Sequence, residues 1–189
     1  MADETLRNLA LSNALSSLVR ERRLPQKVFA GQWEDYLFFE SDFMFEEDFM
    51  NVANVLFRDE QASVIALINL SFAEMPEPFF LERETSWTDY HTRLVGDGTP
   101  INWVFLRDRY VCASDKGKWV IYCERQNDVA IFAYRRLSGS IVANIQQLLR
   151  ATSVESTTSL VSAEGFNFGK LVLKWRNTLK AELVPSRPS

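Results

Sequence analysis

His91 is the only histidine in the sequence, and Cys112 and Cys123 are the only cysteines. A catalytic triad or a Cys–His dyad would therefore have to pass through His91. That residue shares helical spacing with Trp87, Tyr90 and Leu94, which predicts a packed ring holding one hydrogen bond rather than a base. No G-x-S-x-G elbow presents a nucleophile. Zinc needs several Cys and His at tight spacing, and one His with two separated Cys does not supply them.

The two cysteines flank a hairpin, YVCASDKGKWVIYC. A two-residue turn at Gly117-Lys118 sets Cys112 directly across from Cys123, whereas a turn at Lys116-Gly117 sets Cys112 across from Ile121. Either way they read as small apolar residues of a sheet, with a redox pair unsupported.

Carboxylates are plentiful. Residues 31–49 read GQWEDYLFFESDFMFEEDF, with seven acidic and seven aromatic positions, and no Lys or Arg occurs from Val28 to Phe57. Glu46, Glu47 and Asp48 are adjacent, and neighbours on a helix splay about 100° apart, so they do not converge on one cation. No EF-hand spacing appears, and nothing among 25 acidic residues selects a pair for glycoside hydrolysis. Phosphate-cradling G-x-x-x-x-G-K-[ST] and G-x-G-x-x-G motifs are missing too. The expectation is no catalytic residue, no metal site, no cofactor and no enzyme.

The elements that must position these residues follow from periodicity. Asp3 and Glu4 open a first helix ending near Arg20, Arg22 and Arg23, with Leu11, Ala14, Leu15 and Leu18 on one face. Tyr36 to Phe39 is a short strand. Ser41 or Asp42 then caps a second helix, because each side-chain oxygen can accept an orphan backbone N–H. On its wheel Phe45, Phe49, Val52, Ala53 and Leu56 share a face, while Glu47, Asn51, Asn54 and Arg58 lie opposite. SVIALINLSF (63–72) is an interior strand, MPEPFF is irregular, and FFLERE makes a further strand. Ser86 caps a short helix, and GDGTP (96–100) is a turn. NWVFL, YVCAS, WVIYCE and VAIFAY form an antiparallel meander over about 102–134.

Ser138 or Ser140 caps a helix carrying Ile141, Ile145, Leu148 and Leu149. The Ser/Thr-rich 151–162 is a loop or an irregular edge strand. A last helix, about 168–183, places Leu171, Trp175, Leu179 and Leu183 on one side. The fold class is α+β: one domain over 1–184 whose mainly antiparallel sheet is covered by amphipathic helices, with a frayed tail at 185–189.

Charge is divided unevenly. Residues 1–105 hold 8 Lys/Arg against 18 Asp/Glu, and residues 106–189 hold 13 against 7. The halves either neutralise each other on folding, which the sequence favours, or leave an acidic face that steers a basic partner. With 47% hydrophobic residues and 14 Phe the chain can build a packed core. No secretory signal or membrane span is read, so a cytoplasmic location is expected.

The expected function is binding of another protein, one with a basic surface, through Asp42, Glu46, Glu47, Asp48, Asn51 and Asn54. Toxin-neutralising immunity proteins and secretion chaperones are small acidic α+β proteins of this kind, an analogy of fold and composition alone. The alternatives are an enzyme with an unrecognised carboxylate site, or a nucleic-acid binder using Lys170, Lys174, Arg176 and Lys180 with Arg135 and Arg136. Sequence leaves the oligomeric state open.

A chain stabilised by its apolar core alone should unfold at the same temperature with and without chelator or reductant. Calorimetry tests this, and a fall of many degrees with either reagent would mean that the histidine or the cysteines had been misread.

Overall fold

The computed structural model describes residues 3–71, 78–95, 108–153 and 165–183. The turn at 96–100, the first meander strand at 102–106, the start of MPEPFF, most of the Ser/Thr segment and the tail at 185–189 lie outside them. Five helices and a seven-stranded antiparallel sheet make up the α+β fold among the described residues. The helices are α1 (Glu4–Ser16), α2 (Asp48–Asp59), α3 (Trp87–Val95), α4 (Gly139–Leu148) and α5 (Leu173–Leu183). The strands are β1 (Asp35–Phe39), β2 (Val64–Asn69), β3 (Phe79–Glu82), β4 (Arg109–Ser114), β5 (Trp119–Glu124), β6 (Val129–Tyr134) and β7 (Thr152–Ser153). They lie in the order β3-β2-β4-β5-β6-β1-β7.

Antiparallel sheets commonly leave one face wet, but this one is covered on both. Successive side chains of a strand point to opposite faces, and here both sets are apolar. Trp119, Ile121 and Cys123 of β5 join Phe49, Val52, Tyr90, Leu94 and Ile145 beneath α2, α3 and α4. Val120 and Tyr122 join Ala14, Phe29, Phe168 and Leu179 beneath α1 and α5. That double burial explains why the central strands read as unbroken apolar runs.

Two expected elements take a different form. The first helix stops at Ser16, ahead of Arg20, because Leu18 turns away to bridge Phe29. Ser41 caps no α-helix: Ser41–Phe45 is a 3-10 turn, and α2 begins only at Asp48. The cause is tertiary. The Ser41 N–H and Oγ both donate to Asp128 Oδ1, at 3.0 and 3.1 Å, which turns the hydroxyl toward Asp128 rather than toward a helix N-terminus. The Ser41 carbonyl accepts from Tyr110 and the Met44 carbonyl from Tyr90, at 2.6 Å in the latter case. Phe45 is accordingly half-buried at the edge of the core rather than inside it.

His91 is also corrected. It is exposed, its ring 5.1 Å from that of Trp87, because Tyr90 and Leu94 occupy the inward face of α3 and His91 lies about 100° around from Tyr90. Ser86 does cap α3, its Oγ accepting the Asp89 N–H at 3.1 Å. Ser138 likewise caps α4 through the Ile141 N–H.

The β4–β5 register pairs Cys112 with Ile121 and Tyr110 with Cys123, which is the Lys116-Gly117 turn. Both thiols are free and buried. Gly117 has φ +63°, a conformation that favours glycine, and a Cβ there would press on the Asn13 side chain at 2.9 Å.

One polar group inside the core stands out. Glu60, 4% exposed at the end of α2, accepts from Trp119 Nε1 at 2.6 Å, Ser114 Oγ at 2.8 Å and the Lys118 N–H at 3.4 Å. Burial pushes its pKa up from 4.5, against those hydrogen bonds. Glu124, also buried, is raised in the same way. Both carboxyls therefore hold protons in the folded chain at pH values where the unfolded chain has lost them. The folded state binds more protons there, so stability falls as pH rises from about 4.5 through the raised values. Glu60→Gln should flatten that decline in denaturant titrations run from pH 4.5 to neutrality. Glu60→Ala should instead cost roughly 1–3 kcal/mol throughout, by stranding the Trp119 and Ser114 donors. An unchanged slope in Glu60→Gln would remove Glu60 from the pH dependence.

Candidate functional site

The aromatic-acidic stretch is divided by the fold. Tyr36, Leu37, Phe38 and Phe39 are buried in β1, and Phe43 and Met44 are buried in the 3-10 turn. Glu40, Asp42, Glu46, Glu47 and Asp48 are exposed around them. Along α2 the outward positions are Asn51 and Asn54, and the inward ones include Phe49, Val52, Ala53 and Leu56.

The six residues expected to meet a partner do not form one patch. Asp42 and Glu46 line a groove of about 810 Å³ between the 3-10 turn and α4. Glu40 lines it as well, Gln147 and Arg150 come from the α4 side, and Phe43 and Phe166 contribute rings. Glu47, Asp48 and Asn51 lie outside the groove on the outer face of α2, where Asn51 Nδ2 donates to Asp48 Oδ1 at 3.4 Å. Acidic residues at a helix N-terminus also interact favourably with its dipole, which accounts structurally for part of the cluster. Asn54 lines a second hollow with Arg58, Gln61 and Arg83.

The basic C-terminal half does cover part of the acidic run. Arg125 Nε pairs with Asp42 Oδ1 at 3.0 Å, its guanidinium carbon 5.7 Å from the Phe45 ring centroid. Lys170 Nζ lies 2.6 Å from Asp128 Oδ2 and 3.3 Å from Glu40 Oε1, and 4.7 Å from the Phe166 centroid. Asp128 thus binds the Ser41 backbone with one oxygen and Lys170 with the other. Among the described residues, Glu46, Glu47 and Asp48 form no ion pair.

Sequence reasoning missed Glu40, Arg125, Asp128 and the α4 wall. Asp128 and Arg125 lie more than 80 positions from the Ser41 and Asp42 that they bind, and no local spacing joins them. The residues considered for nucleic acid are scattered in role. Lys170 is held by two carboxylates, and Arg135 donates to the Gly117 carbonyl at 3.0 and 3.2 Å while lying 4.9 Å over the Trp33 ring. Trp175 and Arg176 are half-buried, leaving Lys174 and Lys180 exposed on α5 and Arg136 exposed beyond β6. Among the described residues, no three His, Cys, Asp or Glu side chains are grouped to hold a metal ion.

Set against known proteins, the chain matches no family model, no curated protein and no solved structure. No helix among the described residues is long and apolar enough to cross a membrane.

Asp128→Ala should release both the 3-10 turn and Lys170. A cost of about 1–3 kcal/mol in denaturant unfolding is expected from the stranded Ser41 donors. Hydrogen exchange at the Ser41 amide should quicken by more than that at the core amides of β5. Equal acceleration at both would show that Asp128 does not hold the turn.

Proposed function

We propose that the protein acts by binding another protein that presents a basic surface, and that the outer face of α2 with the preceding turn meets it. The observation that carries this reading is the succession Glu46, Glu47 and Asp48, exposed together and without an ion pair among the described residues. Two nearby acids, Glu40 and Asp42, already have cations from the C-terminal half, so internal neutralisation reaches the edge of the cluster and stops. An uncompensated charge on a preformed helix raises the rate at which an oppositely charged surface arrives, and selects among partners.

An immunity-type or chaperone-like adaptor role in the cytoplasm is the form of this activity that composition and fold class suit, and no catalytic step is assigned.

Affinity purification from native cells should yield a stoichiometric protein partner. Recovery of nucleic acid instead would favour the Lys174 and Lys180 surface of α5. With the partner in hand, Glu47→Lys/Asn51→Lys should leave stability within about 0.5 kcal/mol of wild type, as expected of exposed positions. Association should slow by roughly tenfold or more, and the wild-type rate should fall as salt rises. A double variant that associates at the wild-type rate would remove the outer face of α2 from the interface.

A further inference from the structure

Two of the carboxylates that line the groove between the 3-10 turn and α4 already hold a cation of this chain. Lys170 rests among the Asp128 and Glu40 carboxylates and the Phe166 ring, and Arg125 between the Asp42 carboxylate and the Phe45 ring. In both, a carboxylate at 3.0–3.3 Å supplies charge and an aromatic face supplies polarisable surface. Glu46 is the third carboxylate of the groove. It closes the 3-10 turn, its N–H donating to the Phe43 carbonyl at 3.1 Å, so the Phe43 ring belongs to the same turn. Glu46 is exposed and has no cation among the described residues.

We propose that the groove receives a basic segment of the protein partner, with a Lys or Arg side chain seated at Glu46 and its alkyl stem over the Phe43–Leu149 floor. This rests on the protein-binding reading and adds a location and a recognition element to it. A volume of about 810 Å³ accommodates a few side chains of an inserted peptide. The described lining carries three carboxylates and one guanidinium, that of Arg150. Glu40 and Asp42 are already matched, so the free negative charge is at Glu46, while Arg150 repels a second cation at the end of α4. The occupant is thereby oriented, with its basic residue toward the 3-10 turn. Long side chains of this type bury their stems on apolar surface while the head meets the charge.

The test uses a fluorescein-labelled hexa-arginine peptide, titrated with full-length protein and followed by anisotropy. Glu46→Gln removes the charge without changing shape, and Ala143→Trp fills the groove from an exposed position of α4 without changing charge. Each should weaken binding about tenfold, which for Glu46→Gln is the scale of one hydrogen bond to a charged group. Glu84→Gln, an equal charge change at an exposed site outside the groove, should bind as wild type. Thermal midpoints verify folding, and Glu46→Gln decides the matter if Ala143→Trp does not fold. Wild-type binding by Glu46→Gln, or equal weakening by Glu84→Gln, overturns the groove assignment. If the probe is lost in Glu47→Lys/Asn51→Lys but kept in the groove variants, the acidic face of α2 stands and the groove falls.

Discussion

A sheet buried on both faces constrains everything else in this protein. Each interior strand must supply apolar side chains in two directions, so its residues are committed to packing. Trp119 and Phe132 stack with centroids 5.7 Å apart on one side, while Val120 and Ile131 serve the other. Polar chemistry is displaced to the ends of strands, to turns and to the outer faces of helices. Glu60, a carboxyl that remains inside, is supplied with three donors, because an unpaired buried donor or acceptor costs about as much as several good contacts return.

The groove follows from that constraint. With β1 between β6 and β7, the chain leaves the sheet at Glu40 and crosses to α2 through the 3-10 turn. Asp128, in the left-handed region at φ +49°, stands at the start of β6 and fixes this crossing. Its two oxygens join the segment after β1 to the segment before α5, two parts of the chain that share no strand. The carboxylates around the 3-10 turn are consequently held on anchored backbone rather than on a free loop.

Period and composition made most of the architecture legible. The unbroken apolar runs of β4, β5 and β6 and the outward Asn51 and Asn54 of α2 were readable because each depends on residues close in sequence. The hairpin turn was narrowed to two choices, and the Lys116-Gly117 register decides between them. What failed was long-range. Ser41 looks like a helix cap by type, yet a carboxylate 87 positions away takes its donors. His91 looks packed because its neighbours are aromatic, but Tyr90 and Leu94, with Trp87 beside them, take the inward face of α3. The α4 wall of the groove has no signature at all, since its residues acquire meaning only opposite the 3-10 turn.

The placement of β1 has a consequence for how the chain is made. Leu37 pairs with Phe132, and Phe39 with Ala130, so β1 gains its first neighbour almost a hundred residues after it is synthesised. At typical elongation rates that is roughly 5–20 s on the ribosome. During that interval Tyr36, Leu37, Phe38 and Phe39 form an aromatic, strand-prone run with no sheet to join, the type of segment that aggregates. Glu34, Asp35, Glu40 and Asp42 bracket it directly. Charges flanking an unavoidable hydrophobic strand oppose its self-association. The acids of this stretch thus have a task before folding is complete, in keeping a nascent strand soluble until the meander arrives to receive it.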